Sequence, residues 1–378
     1  MNKELGYYVC NGKEFSSKAG CLIYATQVDK PIEWIFNKEV FDKFDFSHEP
    51  ELTLDQLYDR RARELREKYD YLVLGYSGGS DSHNILMSFY RQGLHIDEVV
   101  SNWIFDASKT NFLVVDERVT DAWNQNAEFE LTTKERLDWI STNMPKTTIT
   151  IYDSSQDTLT YYLKAKDESW VLDSRDALNP SGHVRYNFLH VRELRKRFDK
   201  QTNICTILGI DKPNFDIFDN KLYLRFHDKP ANNVTINPQF GEYDNEHIEF
   251  FYWSPDACEL LAKQSHTVLN YLKVDPTLKP IWESTNSKSI HSVREKILRD
   301  IIYSSTWVNR FQVDKPICDW DCEFDNWFYY SPQFEKSRAV WSQGVEYMQT
   351  NISTRFQTKN HRGIMPTIGS RYYIGNLS

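Results

Sequence analysis

The chain predicts an α/β fold in which a parallel sheet is wrapped by helices, with a small N-terminal β unit before it and a mainly helical C-terminal extension after it. Two observations carry this. From Tyr71 to Gly209, short apolar runs of strand length alternate with segments of helical period, the succession that builds parallel sheets. The first of those runs, Tyr71-Leu-Val-Leu-Gly75, passes through Ser77-Gly-Gly-Ser-Asp-Ser82 into a helical pattern. With 378 residues, 40% hydrophobic and 26% charged, the chain has ample core for two domains or one elaborated domain. The pattern divides it into an N-terminal β cap (1–50), an α/β domain (51–215) and a mixed, mainly helical region (216–378).

Taken in order, Asn11-Gly12 between Tyr7–Cys10 and Glu14-Phe15 predicts a type I′ hairpin. Ser16–Gln27 reads as a short helix and Ile32–Phe36 as an alternating strand. This unit carries no chemistry of its own and reads as a docking or cover element. In Thr53–Asp70, Thr53 is a fitting N-cap, and Leu54, Leu57, Tyr58, Ala62, Leu65 and Tyr69 recur at helical spacing. The other face carries Arg60, Arg61, Arg63, Arg66 and Lys68. Either that face is solvated and balanced by Asp55, Asp59, Glu64 and Glu67, or one or two of its arginines reach a phosphate or a polyanionic acceptor.

After the strand at 71–75 the pattern gives a helix over 81–92 closed by Gly93, a strand over 98–103, and helices near 115–125 and 132–143. A strand over 147–152, a helix over 187–200 and a strand over 203–209 follow. Beyond 215, Asp216–Phe226 reads as two strands around Asp219-Asn220, and Ile248–Trp253 as a further strand. Pro255 opens a helix to about Leu272, and 288–304 is helical. The last twenty residues are too weakly patterned to assign.

The chemistry concentrates at 77–82. A strand that turns through Gly78-Gly79 into a helix lets the backbone approach a ligand closely and aims the unpaired N–H groups of the helix's first turn at it. An anion suits that position. Ser77 and Ser82 add hydroxyls, Ser80 counts among the nucleotide-binding positions of the motif, and Asp81 is placed to take the Mg²⁺ that accompanies a phosphate. The string fits neither G-x-x-x-x-G-K-[ST] nor G-x-G-x-x-G.

All six positions from Ser77 to Ser82 match the SGGxDS signature, and on them the chain resembles the PP-loop ATP pyrophosphatases. That family includes the synthetase half of asparagine synthetase, NAD synthetase and tRNA-modifying ligases. The resemblance implies an adenine nucleotide alpha hydrolase-like (HUP) fold over residues 51–215, with ATP and Mg²⁺ as cofactors. It also implies attack at the α-phosphorus, with release of AMP and pyrophosphate. Adenosine is then expected at the second strand, where Asn102 is placed to hydrogen-bond base or ribose. Trp103 there is either a stacking platform or core. The order of hairpin, arginine-rich helix, Ser-Gly-Gly-Ser-Asp-Ser and Gly209-Ile-Asp-Lys-Pro213 also resembles PP-loop proteins of large tailed bacteriophages.

Gly209-Ile-Asp-Lys-Pro213, at the end of a later strand, is a second candidate. There Lys212 is expected to neutralise the α-phosphate and Asp211 to bind metal or orient its neighbour, unless the stretch is a turn with a surface salt bridge. His83 either touches the nucleotide or faces solvent. His190 with Arg192, Arg195, Lys196 and Arg197 forms a basic face that is either simply solvated or able to bind an acidic co-substrate.

Four functions follow: adenylation leading to ligation or amidation, nucleobase modification in tRNA or DNA, sulfur transfer of the reductase type, and nucleotide binding without turnover. The acceptor is accordingly a small molecule or a nucleobase. No cysteine stands at position 2, so no glutaminase domain of the asparagine synthetase kind is expected and ammonia would come from a separate donor. A net charge of −9 disfavours general nucleic-acid binding. No window reaches the ~20 apolar residues that cross a bilayer, so no membrane partner is expected. The location is expected to be cytoplasmic, the host's cytoplasm if phage-encoded. The six cysteines are expected to be free thiols, and the three-residue spacer of Cys318 and Cys322 suits zinc poorly.

Overall fold

The structure, a computed structural model, describes residues 5–103, 133–168, 197–199, 201–228, 245–283, 297–303, 331–353 and 366–378, with a few further single residues and pairs. The hairpin of β1 (Tyr7–Cys10) and β2 (Lys13–Phe15) turns at Asn11 and Gly12, whose φ values of 48° and 77° are those a type I′ turn requires. α1 (Lys18–Val28) starts at Ser17, whose hydroxyl accepts the Gly20 N–H. β3 (Glu33–Ile35) then pairs antiparallel with β1. A short α2 (Lys38–Phe41) leads to α3 (Leu54–Lys68), which opens on a complete capping box between Thr53 and Gln56.

Strand and helix then alternate: β4 (Tyr71–Gly75), α4 (Ser80–Tyr90), β5 (Glu98–Trp103), α5 (Lys134–Asn143), β6 (Thr148–Asp153), α6 (Ser155–Leu163) and β7 (Ile204–Leu208). α6 has no counterpart among the elements read from the sequence. Past β7 come the hairpin of β8 (Asn214–Phe218) and β9 (Lys221–His227), then β10 (Glu246–Phe250). Five strands form one all-parallel sheet in the order β10-β7-β4-β5-β6. It therefore draws a strand from beyond residue 215. All five residues of β7 and the middle three of β4 are buried, because a central parallel strand is covered on both faces. The chain leaves β4 toward β5 and β6, then returns to β4's other side at β7. That reversal puts the topological switch point, where open α/β sheets hold ligands, at the carboxyl end of β4.

The C-terminal part adds α7 (Cys258–Val274), α8 (Lys279–Glu283) and α9 (Glu335–Asn351), with residues 297–302 also helical. β11 (Lys359–Asn360) and β12 (Gly363–Ile364) make a small antiparallel pair. β13 (Ile368–Asn376), unassigned from sequence, pairs antiparallel with β9, so the order of that sheet is β13-β9-β8. The β8–β9 turn at Asp219-Asn220 takes φ of 49° and 56°. The stretches near 115–125, 187–196 with His190, Arg192, Arg195 and Lys196, and 288–293, as well as Cys318 and Cys322, lie outside the described residues. Cys10, Cys21, Cys205 and Cys258 are free thiols.

The N-terminal unit docks on the β13-β9-β8 sheet. Phe226 stacks on Phe41 with ring centroids 4.7 Å apart and meets Phe36 at 5.4 Å. Beneath these rings Asp228, fully buried, accepts hydrogen bonds from Lys18 Nζ and Tyr8 OH, each at 2.7 Å, and from the Thr367 N–H at 2.9 Å. One carboxylate thus ties α1, β1 and the residues before β13. Removing one member of a buried ion pair leaves the other charge uncompensated, at about 3–5 kcal/mol. Asp228→Ala is therefore expected to lower the unfolding free energy by about that much in urea titrations, and Lys18→Met/Asp228→Leu to lose less than the single variant.

The cationic face of α3 is exposed at Arg63 and Lys68 and buried at Arg61, and its charges are paired mainly with other elements. Arg61 pairs with Glu249 at 2.8 Å and Lys68 with the same carboxylate at 2.9 Å. Arg66 pairs with Asp97 at 2.5 Å, Arg60 with Glu259, and Arg63 donates to Gln92 at 2.7 Å. Most of these partners come from other elements; of the intrahelical acids named above only Glu64 pairs with Arg60, at 3.7 Å. The face clips α3 to β10, α7 and the start of β5.

Candidate functional site at the β4–α4 turn

Gly79 opens α4 with no side chain to cap it, so the first-turn N–H groups, which have no intrahelical acceptor, face the switch point. Gly78 makes the sharp turn its sequence suggests, but the space beside it is taken by the protein. Its φ is +72°, and a Cβ there would lie 2.8 Å from Thr133 Cα and 3.0 Å from Thr133 Oγ1. The protein itself, not a ligand, fills that side. At Gly79 an added Cβ would meet only Ser77 Oγ, at 3.2 Å, so close approach from outside remains open there.

Behind the turn, the loop carbonyls are held by α5 and the residue before it. Thr133 Oγ1 donates to Ser77 O at 2.7 Å, and the fully buried Arg136 donates to Gly78 O. Tyr76, 3% exposed, hydrogen-bonds Arg136 and, at 2.9 Å, His83 Nδ1. His83 therefore neither faces solvent nor projects toward the switch point: it is 5% exposed and packs edge-on against Trp139. Burial, and then the Arg136 charge, push its pKa down to about 3.

In front of the turn the second candidate stretch arrives. Gly209, directly after β7, sits so close to α4 that a Cβ would lie 3.1 Å from Ser82 N and 3.2 Å from Asp81 Cβ. Lys212, 5% exposed, reaches Asp81 Oδ2 at 2.8 Å. Asp211 Oδ1 accepts the Lys212 N–H at 2.7 Å and stands 3.7 Å from its Nζ, so Lys212 lies between two carboxylates and is no surface lysine. Tyr303 OH donates to Asp81 Oδ1 at 2.8 Å, and Tyr252 OH to Asp81 O at 2.8 Å. Burial raises the Asp81 pKa, but the Lys212 and Arg299 charges and the hydrogen bonds from Lys212 and Tyr303 outweigh it, and the carboxyl ends below its usual range.

The structure thus brings Ser77, Gly78, Gly79, Ser80, Asp81, Ser82, Asp211 and Lys212 to one place. Two buried oxygens there have no hydrogen-bond partner: Ser80 Oγ in the first turn, and Asn102 Oδ1 at the carboxyl end of neighbouring β5. Trp103 is core, 7% exposed, donating to Ser101 Oγ at 2.7 Å and packing edge-on against Phe129. Sequence reasoning missed Thr133, Arg136, Tyr252, Arg299 and Tyr303. Only Arg136 carried a signal, a lone arginine on the apolar face that Leu137 and Ile140 mark in α5. Among the described residues no group of three or more His, Cys, Asp or Glu could hold a metal alone. Mg²⁺ needs only one or two carboxylates beside phosphate oxygens, and Asp81, with a carboxylate's roughly four acceptor positions and donors in Lys212 and Tyr303, fits that demand. Compared with known proteins, the chain matches no family model and no curated sequence.

The neutral, buried His83 sets an acid limit on stability. Between about pH 6.5, the unfolded value, and about 3, the unfolded state binds a proton that the native state refuses, so stability falls with falling pH and is flat above the window. His83→Gln is expected to flatten this loss by up to about 1.4 kcal/mol per pH unit, measured by urea unfolding at pH 7, 6 and 5.

Proposed function

We propose that the chain binds ATP with Mg²⁺ at residues 77–82 and activates a carboxyl or carbonyl oxygen of an acceptor by adenylation, releasing AMP and pyrophosphate. The observation that carries this is the meeting of two strand-end stretches at the switch point: the Ser77-Gly-Gly-Ser-Asp-Ser82 turn, resembling the PP-loop signature, and Lys212 from after β7, in contact with it. The uncapped first turn of α4, with the serine hydroxyls, holds the β- and γ-phosphates, and Asn102 takes adenosine. Asp81, joined by Asp211, would hold Mg²⁺, which supplies charge neutralisation on the phosphates. The acceptor oxygen forms a bond to the α-phosphorus while the bond to the bridging α,β-oxygen breaks, and pyrophosphate leaves. An amine, from a separate donor or on a second substrate, then displaces AMP from the adenylate. Lys212 stabilises the charge that grows at the α-phosphate, with Asp211 fixing its backbone.

Of the other readings, sulfur transfer is disfavoured at Cys205, the cysteine close to the site in sequence, since it is wholly buried in β7 and burial holds its pKa well above the ordinary thiol value. Calorimetry with ATP is expected to give Mg²⁺-dependent binding by wild type and weaker, nearly Mg²⁺-independent binding by Asp81→Asn, with AMP and pyrophosphate as products when acceptor is supplied. Identical titrations for the two proteins, or ADP as the sole product, refute the proposal. Lys212→Ala is expected to lower kcat on the order of 10²-fold with little change in KM for ATP; steady-state kinetics at saturating Mg²⁺ reads this.

A further inference from the structure

We infer that Thr133 and Arg136 are positioning residues for the anion held at the first turn of α4, acting from behind the loop. The inference rests on the phosphate-binding reading above and adds two residues outside the signature. A loop presents its N–H groups to an anion only if its carbonyls are turned elsewhere, and here each carbonyl has an assigned holder: Ser77 O takes the Thr133 hydroxyl at 2.7 Å, and Gly78 O takes the Arg136 guanidinium. Thr133 also fills the space beside Gly78, where its Cα stands 2.8 Å from an added Cβ, so the positive-φ turn and the start of α5 are fitted to each other. Arg136 is fully buried, and it donates to the Gly78 carbonyl and hydrogen-bonds Tyr76. A charged donor holds a carbonyl more firmly than a neutral one. The buried, unpartnered Ser80 Oγ lies in the turn these residues hold.

The test is calorimetric titration of the full chain with inorganic pyrophosphate in Mg²⁺, on wild type, Thr133→Val, Arg136→Gln and Arg136→Lys, with circular dichroism melts to establish folding. Thr133→Val keeps the shape and removes one carbonyl anchor. Arg136→Gln removes the charge, and Arg136→Lys keeps it. Folded Thr133→Val and Arg136→Gln are expected to bind roughly 10-fold more weakly, the loss of one hydrogen bond to the loop, with Arg136→Lys between wild type and Arg136→Gln. Wild-type affinity in the folded Val and Gln variants, or no recovery with lysine, overturns the inference and limits both residues to folding. Should Arg136→Gln fail to fold, Thr133→Val decides alone. A wild-type protein that ignores pyrophosphate overturns the phosphate-binding reading itself, and that failure appears before any variant is compared.

Discussion

The absent side chain of Gly209 is the constraint on which the rest of the site depends. With no Cβ there, the chain leaving β7 lies against the backbone of Asp81 and Ser82, where a methyl group would press to within 3.1–3.2 Å of three atoms of α4. Only at that distance can Lys212, three residues later, reach Asp81 at 2.8 Å. Two loops on neighbouring strands of a parallel sheet are thus locked at the point where the strand order reverses, and a charged pair is held in a setting that keeps out most water.

Two layers support this contact from opposite sides. Behind it, Thr133 and Arg136 hold the loop carbonyls, and Tyr76 and His83 continue the network into the core. In front, Tyr252 and Tyr303 bring the segments after β10 and residues 297–303 onto Asp81. Tyr58 links the same tyrosines to α3, donating to Ile302 O at 3.0 Å and accepting from Gln264 Nε2 at 3.0 Å. Because α3 is itself clipped by Arg61 and Lys68 to Glu249 on β10, the region after residue 215 is built into the walls of the site. The cationic face of α3 serves that construction.

Local features were legible in the order of residues. Asn11-Gly12 and Asp219-Asn220 made their turns because few residues tolerate positive φ; Thr53 opened α3 because its hydroxyl caps the helix and Gln56 answers it. The strands at 71–75, 98–103, 148–153 and 204–208 were legible from apolar runs between helical patterns, and the 77–82 turn from its glycines. The tertiary structure alone decided what touches that turn. Asp81 and Tyr303 are 222 residues apart, and Gly78 and Arg136 are 58 apart; no periodicity reports such distances. β13 was invisible because an edge strand paired with β9 is defined by its partner, and His83 was misread because position in a helix does not say which face is buried. At Gly78 the turn was legible, but Thr133 beside it was not: whether a missing Cβ makes room for a ligand or for the protein's own backbone is settled only when distant segments pack.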